Sequence, residues 1–250
     1  MLIVLDLDYT LLKSDGTISE KTKQVLKKCK ENGHKIVINS ARSLLRSLPI
    51  AKEIDVDYIN CFFGNLVVDK NENIIHSRAL DGSDLKNLIN DFQNLYSGFI
   101  GIEGKNGSFS NSIDAANKFG AKAVKLEELY SKDAFKLVFE IYENNHKAAK
   151  EIASKYNLDI SFAREGNFCR LLCKNTNKWF GLQKILEIEV GQETIAFGDE
   201  ITDLETLNNC NIAVAMENAT EELIKNLKNY RITNNNDNDG VANYLEKHIL

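Results

Sequence analysis

The stretch LIVLDLDYTLL, residues 2–12, decides the fold. Leu2, Ile3, Val4 and Leu5 make an unbroken apolar run that stops at acidic residues, the pattern of a strand buried on both faces in a parallel sheet. Downstream, Ser19 stands where a helix N-cap would. Val25, Leu26 and Cys29 fall on one side of the helix it would start, which runs to about Asn32 with Gly33 as terminator. KIVIN (35–39) is a second apolar run, ending at Ser40-Ala41-Arg42. Strand, helix and strand in that order predict a right-handed crossover between parallel strands. Pro49 is expected to end or kink the helix that follows Arg42.

The last third repeats this grammar: a helix over 178–188, a strand over 194–197, a helix over 203–208, a strand over 212–215 and a helix from about 219. The middle differs. A helix over 85–96 is followed by glycine-rich turns around Gly98, Gly101, Gly104 and Gly107. Then come the alternating strand FKLVFEIY (135–142), a helix over 146–156, and strands over 158–163 and 168–173. Strand-rich α+β material between two α/β segments reads as an insertion. The expected organisation is an α/β, Rossmann-like three-layer core with a parallel sheet, made of residues 1–80 and 173–250, plus an inserted α+β domain over 81–172.

With 250 residues, the chain can bury a sizeable core. A formal charge of -5 supplies no basic field for nucleic acid or an anionic membrane, so neither is expected as a partner. Five cysteines, odd in number and never in a CxxC pair, read as reduced thiols. The apolar run after Met1 is too short for a signal peptide and lacks a basic leader, and no run approaches the ~18 apolar residues of a membrane span. A cytoplasmic location is the expectation.

The chemistry gathers at strand ends. Asp6 and Asp8 lie two apart, so on a strand they face one side and converge, at the carboxyl end where open parallel sheets bind ligands. Two close carboxylates repel, and neither welcomes a phosphate dianion without a cation. Gly198-Asp199-Glu200-Ile201-Thr202-Asp203 follows the strand TIAF, so Asp199 and Asp203 can join Asp6 around a hard cation, for which Mg²⁺ is the natural choice beside phosphate. Ser40 offers a hydroxyl donor, and Lys178 a compact positive charge.

These segments, DLDYTLL, NSAR, Lys178 and GDEITD, resemble in order the four motifs of the haloacid dehalogenase superfamily. AVAMENA followed by DGVANYL resembles its Cof-type branch, whose phosphatases carry a large α+β cap between the second and third motifs. The resemblance implies that Asp6 attacks phosphorus to form an aspartyl-phosphate. It implies that Asp8 protonates the leaving oxygen and then deprotonates water, that Thr10 steadies the loop and belongs to the phosphate-binding set, and that Ser40 and Lys178 hold phosphoryl oxygens. Mg²⁺ would sit on Asp6, the carbonyl of Asp8, Asp199 and Asp203. Arg42 would touch the leaving group or pair with a carboxylate, and Asn65 would lie on the substrate side. Tyr9 stands where glycine is frequent, Ala41 and Trp179 replace common glycines, Thr202 replaces a usual asparagine, and Gly64-Asn65 inverts a usual Asn-Gly.

Other features have plain readings. The lysines between Lys21 and Lys35 are the wet face of an amphipathic helix. Residues 235–246 nearly match a calcium loop, but Asn235 stands where the first aspartate should be. The expected activity is hydrolysis of phosphomonoesters of small metabolites, sugar phosphates or similar. A sugar phosphomutase and a non-catalytic binding protein on the same fold are the competing readings. Retention of Asp6, Asp8, Asp199 and Asp203 argues against the last.

Overall fold

The computed structural model describes residues 1–95, 98–162 and 167–250. Two units divide the chain, Met1–Ser77 with Asn177–Leu250 and Arg78–Thr176. In the first, β1 (Leu2–Leu5) leads through a wide turn to α1 (Glu20–Glu31), β2 (Lys35–Asn39), α2 (Leu44–Glu53), β3 (Tyr58–Cys61) and the hairpin β4 (Leu66–Asp69) with β5 (Ile74–Ser77). The second unit runs α3 (Gly82–Leu95), β6 (Ile100–Gly104), β7 (Gly107–Ser110), α4 (Ile113–Phe119), β8 (Lys122–Ala123) and α5 (Leu126–Leu129). It continues through β9 (Lys136–Glu140), α6 (His146–Lys155), β10 (Leu158–Phe162) and β11 (Phe168–Cys173). The chain returns to the first unit with α7 (Lys178–Leu186), β12 (Thr194–Gly198), α8 (Leu204–Asn209), β13 (Ile212–Met216), α9 (Glu221–Asn226), β14 (Arg231–Thr233) and α10 (Gly240–His248).

All four side chains of β1 are buried because this strand is central, in the order β14-β13-β12-β1-β2-β3-β4-β5. Leu2 and Val4 pack on one face with Leu182, Ile185, Leu207 and Leu223, which come from α7, α8 and α9. Alternation sends Ile3 and Leu5 to the other face. There α1 and α10 lie against one another and bury Leu26, Cys29, Val241 and Leu245. The helix α1 starts at the expected cap, where the Thr22 N–H donates to Ser19 Oγ at 3.0 Å.

Parallel register brings the strand ends together. Leu5 of β1 pairs with Ile38 of β2 and with Phe197 of β12, so the three strands stop level with one another. Asp6, Ser40 and Asp199 thereby leave the sheet at one edge. The sheet is not parallel throughout, because β3, β4 and β5 pair antiparallel. Nor does Pro49 end its helix, since α2 runs through it to Glu53. The hydrogen bond that proline forgoes is to the carbonyl of Leu45, a residue 47% exposed, so the loss falls where water can replace it.

The inserted unit is an antiparallel sheet, β10-β11-β9-β6-β7-β8 with β7 and β8 parallel, whose inner face meets α3 and α6. Gly101 and Gly104, expected in turns, lie within β6, and Gly107 opens β7. Gly104 faces inward, and a Cβ there would come 2.7 Å from the carbonyl oxygen of Asp133. Gly104 thus serves close packing at the end of its strand, and the expected reversal falls on Lys105 and Asn106, between Gly104 and Gly107. Tyr96 and Ala163, expected at the ends of a helix and a strand, lie outside the described residues.

Candidate active site

The strand stops at Leu5, and the residues after it do not alternate. Leu7–Leu11 form a wide turn in which the Leu11 N–H reaches the Asp6 carbonyl at 3.2 Å and the Leu12 N–H the Leu7 carbonyl at 2.9 Å. Leu7 and Leu11 are buried and hold the turn against the core. Inside it Asp8 is extended and Tyr9 left-handed, with φ of 57°. The chain therefore does not put Asp6 and Asp8 side by side on a strand face. Asp6 is buried, whereas the Asp8 side chain is 51% exposed.

Asp6 faces a buried lysine. Lys178 Nζ donates to Asp6 Oδ1 at 2.7 Å and to Asp203 Oδ1 at 2.8 Å. Lysine at the first position of a helix opposes the helix dipole, so this placement rests on the two carboxylates. Asn177 caps α7, accepting from the Phe180 N–H at 2.8 Å. Asp203 uses its other oxygen to accept from the N–H groups of Asp199 and Glu200, at 3.2 Å each. Gly198 makes room for this loop, since a Cβ there would stand 2.6 Å from the Asp203 side chain. Thr10, expected to steady its loop and to serve the phosphate, donates its hydroxyl to Asp199 Oδ1 at 2.8 Å, tying the first loop to the one after β12.

Asp6, Asp199 and Asp203 can each offer an oxygen within 4.8 Å of the other two, and all three are buried. Burial pushes the Asp6 carboxyl up to about 8, against the pull of Lys178 and with repulsion from Asp203 adding to the rise. Burial likewise lifts Asp199 to about 6, although the Thr10 hydroxyl opposes it. Burial works against the charge of Lys178, but Asp6 and Asp203 outweigh it and hold the ammonium protonated. Three carboxylates thus share one ammonium in a dry place. Such a site calls for further positive charge, and an all-oxygen donor set suits a hard divalent cation.

Around this centre, Ser40 is buried and its Oγ accepts from the Arg42 N–H at 3.2 Å. Among the described residues its hydroxyl hydrogen has no acceptor. Arg42 forks both oxygens of Asp8, its Nε at 2.9 Å from Oδ2 and its second amino group on Oδ1. Of the two roles expected for Arg42, this is the carboxylate pairing. Asn65 is buried in the turn after β3 and donates to the Phe62 carbonyl at 3.0 Å, while its Oδ1 has no partner among the described residues. The carboxylate of Asp8 is not in the acidic group, so only its carbonyl is left for a cation.

Sequence reading passed over a buried polar relay beneath the lysine. Asn39 donates to Thr206 Oγ1 at 3.1 Å, and Asn60 donates both to Asn39 Oδ1 and, at 2.8 Å, to the Lys178 carbonyl. The signal was an asparagine inside each of two apolar strands, KIVIN and YINC. Asn218 and Asn236 were also missed. They donate to the carbonyls of Tyr9 and Leu12 and pin the turn that carries Asp8 and Thr10. Asp237, of the calcium-like segment, uses both carboxylate oxygens on Ser14.

Residues 3–245 match the family model for haloacid dehalogenase-like hydrolases. The chain belongs to that family. It is a Cof-type member and a phosphatase enzyme. It is 27% identical to the 5-amino-6-(5-phospho-D-ribitylamino)uracil phosphatase YitU of Bacillus subtilis, over 99% of this chain and 97% of that protein. It is 29% identical to a putative phosphatase of Haemophilus influenzae, over 97% and 95% of the two chains. Its fold superposes on the subclass IIB sugar phosphatase BT4131 with a TM-score of 0.77, at 20% identity and with 98% of each chain covered.

Proposed function

We propose that this enzyme is a magnesium-dependent phosphomonoester hydrolase of small phosphorylated metabolites, working through an aspartyl-phosphate on Asp6. The observation that carries the reading is the division between the two aspartates. One is buried against a lysine and two further acids, and the other is exposed two residues on. A nucleophile needs fixed placement and charge relief, whereas an acid–base group needs access to the leaving oxygen and to water.

In this reading the Asp6 carboxylate forms a bond to phosphorus as the ester bond breaks. Asp8 gives its proton to the departing oxygen, then takes one from the water that cleaves the acyl phosphate. Lys178 and the Ser40 hydroxyl hold phosphoryl oxygens, so positioning and charge neutralisation carry most of the work. Arg42 must release Asp8 for this to happen, and its guanidinium is then free for the substrate. Asp6, Asp199, Asp203 and the Asp8 carbonyl would hold Mg²⁺, which when bound supplies neutralising charge beside the phosphoryl oxygens.

Sugar phosphates and similar polyol phosphates are the substrate class we favour. The ribityl phosphate named for the B. subtilis relative is of this kind. We assign part of the choice of leaving group to the inserted unit. Among the described residues no helix is long and apolar enough to cross a membrane, and we place the enzyme in the cytoplasm.

The test is phosphate release from a panel of phosphorylated metabolites, with and without Mg²⁺, by wild type and Asp6→Asn. Release that needs both Mg²⁺ and Asp6 is the expected result. A chain that releases nothing, or an Asp6→Asn variant as fast as wild type, would sink the proposal. Transfer to a sugar dependent on a bisphosphate, with little free phosphate, would mean a mutase.

A further inference from the structure

Among the described residues, three aromatic side chains sit on backbone with positive φ: Tyr9 at 57°, Phe62 at 51° and Phe63 at 56°. Elsewhere in the described chain the left-handed non-glycine positions are Asp55, Glu72, Asn157, Asn175 and Asp239, residues that carry no ring, and four of them are of the types that local hydrogen bonding suits to this region. All three aromatic cases lie on two loops at the carboxyl edge of the sheet, after β1 and after β3. Those loops flank β2, whose end carries Ser40. Tyr9 directly follows Asp8. The Phe63 N–H points to the Ser40 carbonyl at 3.4 Å, and the Phe62 N–H to that of Arg42 at 2.9 Å.

Glycine or asparagine would turn the backbone at these places with less strain, so the turn alone does not account for the rings. For Phe62 the reason is burial, since it is fully enclosed and core packing offsets its conformation. The same reason fails for Tyr9, which is 60% exposed and whose hydroxyl has no partner among the described residues. It covers Phe63 only in part, because that residue is half-buried. Strain that packing does not offset gathers at functional sites.

We infer that Tyr9 and Phe63 form an aromatic rim on the core unit that receives the leaving group, so that the preferred members of the polyol phosphate class carry a flat ring in the leaving group. The inference rests on the phosphatase reading and narrows its substrate class. Tyr9 and Phe63 stand on the loops after β1 and β3, the two strands that flank β2, at whose end Ser40 lies. Stacking on a planar group is what exposed aromatic faces do best.

The experiment compares two primary alkyl esters whose leaving alcohols are alike in basicity, 2-phenylethyl phosphate and butyl phosphate. Both are assayed on wild type, Tyr9→Gly, Phe63→Gly and the double variant. Wild type is expected to favour the ring ester about tenfold in kcat/KM, the scale of one to two stacking contacts. The ratio should fall to about twofold in the double variant, through KM for the ring ester, while the melting temperature holds or rises because glycine relieves the backbone. Tyr9→Phe should keep the ratio. Wild type that turns over both esters equally, or a double variant that keeps the preference, overturns the rim and leaves the phosphatase reading standing. A melting temperature that drops sharply in the glycine variants also overturns it, since the rings would then be core. No release from either ester or from any metabolite of the panel overturns the phosphatase reading, and the rim with it.

Discussion

The two ends of the central sheet carry the same kinds of residue and treat them differently. At the amino end, Glu189 is nearly buried. Lys35 Nζ holds both its oxygens, at 2.6 and 2.7 Å, and the Tyr58 hydroxyl adds another bond. Burial would raise that carboxyl, but Lys35 and Tyr58 win and its pKa is lowered. At the carboxyl end, three acids share one lysine, and Asp6 and Asp199 titrate high. One end is a closed set of charges and donors. The other is left open, and open charge in a dry place is what a phosphate ester and its cation can complete.

The sharpest way to break the comparison is Asp6→Asn. It should abolish turnover by at least ~1,000-fold, as loss of a nucleophile does, with the fold intact by circular dichroism. Lys178→Met comes next, with ~100- to 1,000-fold lost from kcat/KM for want of one positioned donor at the phosphoryl group. Asp8→Ala should cost ~100-fold or more on esters of poor leaving groups, the scale of general acid–base help. A full-rate Asp8→Ala on such an ester would mean that another group carries the proton.

The same open charge predicts how stability depends on pH. Asp6 and Asp199 titrate near 8 and 6, above the ordinary carboxylate value of 3.8. Between those values the folded chain holds protons that the unfolded chain has lost, so this cluster's contribution is full at low pH. It is lost as pH rises through about 6 and then about 8. A cation replaces the protons. Added Mg²⁺ should therefore raise the melting temperature more at pH 8 than at pH 5, and calorimetry should detect proton release at pH 7. An equal rise at both pH values would put the cation elsewhere. The smallest effect belongs to the closed end. Lys35→Met, a partly exposed pair, should cost ~1 kcal/mol or less in chemical denaturation and leave kcat/KM within a factor of two.

The site was legible to the extent that its residues stand at strand ends. A parallel register aligns carboxyl ends, so apolar runs terminated by Asp6, Ser40 and Asp199 could be brought together from the sequence. Lys178 was found from its place after the insertion. What could not be read depended on where a strand stops. The wide turn begins at Asp6, one residue past the last paired position, and so Asp8 was placed on Asp6's face when it belongs outside. Gly101 was read as a turn because local propensity cannot see β9 pairing beside it, whereas the turn read around Gly104 and Gly107 is the β6–β7 hairpin. Asn39 and Asn60 looked like ordinary strand residues, because a buried polar pair is recognisable only when Thr206 and the Lys178 carbonyl arrive beside it. The hairpin of β4 and β5 escaped for want of a strong turn pair.

Lys178 lies 172 residues from the carboxylate it holds, and Thr10 lies 189 residues from its acceptor on Asp199. On a ribosome adding ~5–20 residues per second, Asp6 is joined to the chain roughly 9 to 35 seconds before its lysine. Until then β1 lacks one of its two neighbours, and Asp6 has neither the ammonium nor the two further acids beside it. The group that the proposed chemistry needs is therefore completed late in synthesis, and a nascent or truncated copy missing the last third carries the aspartates of the first loop without Lys178, Asp199 or Asp203.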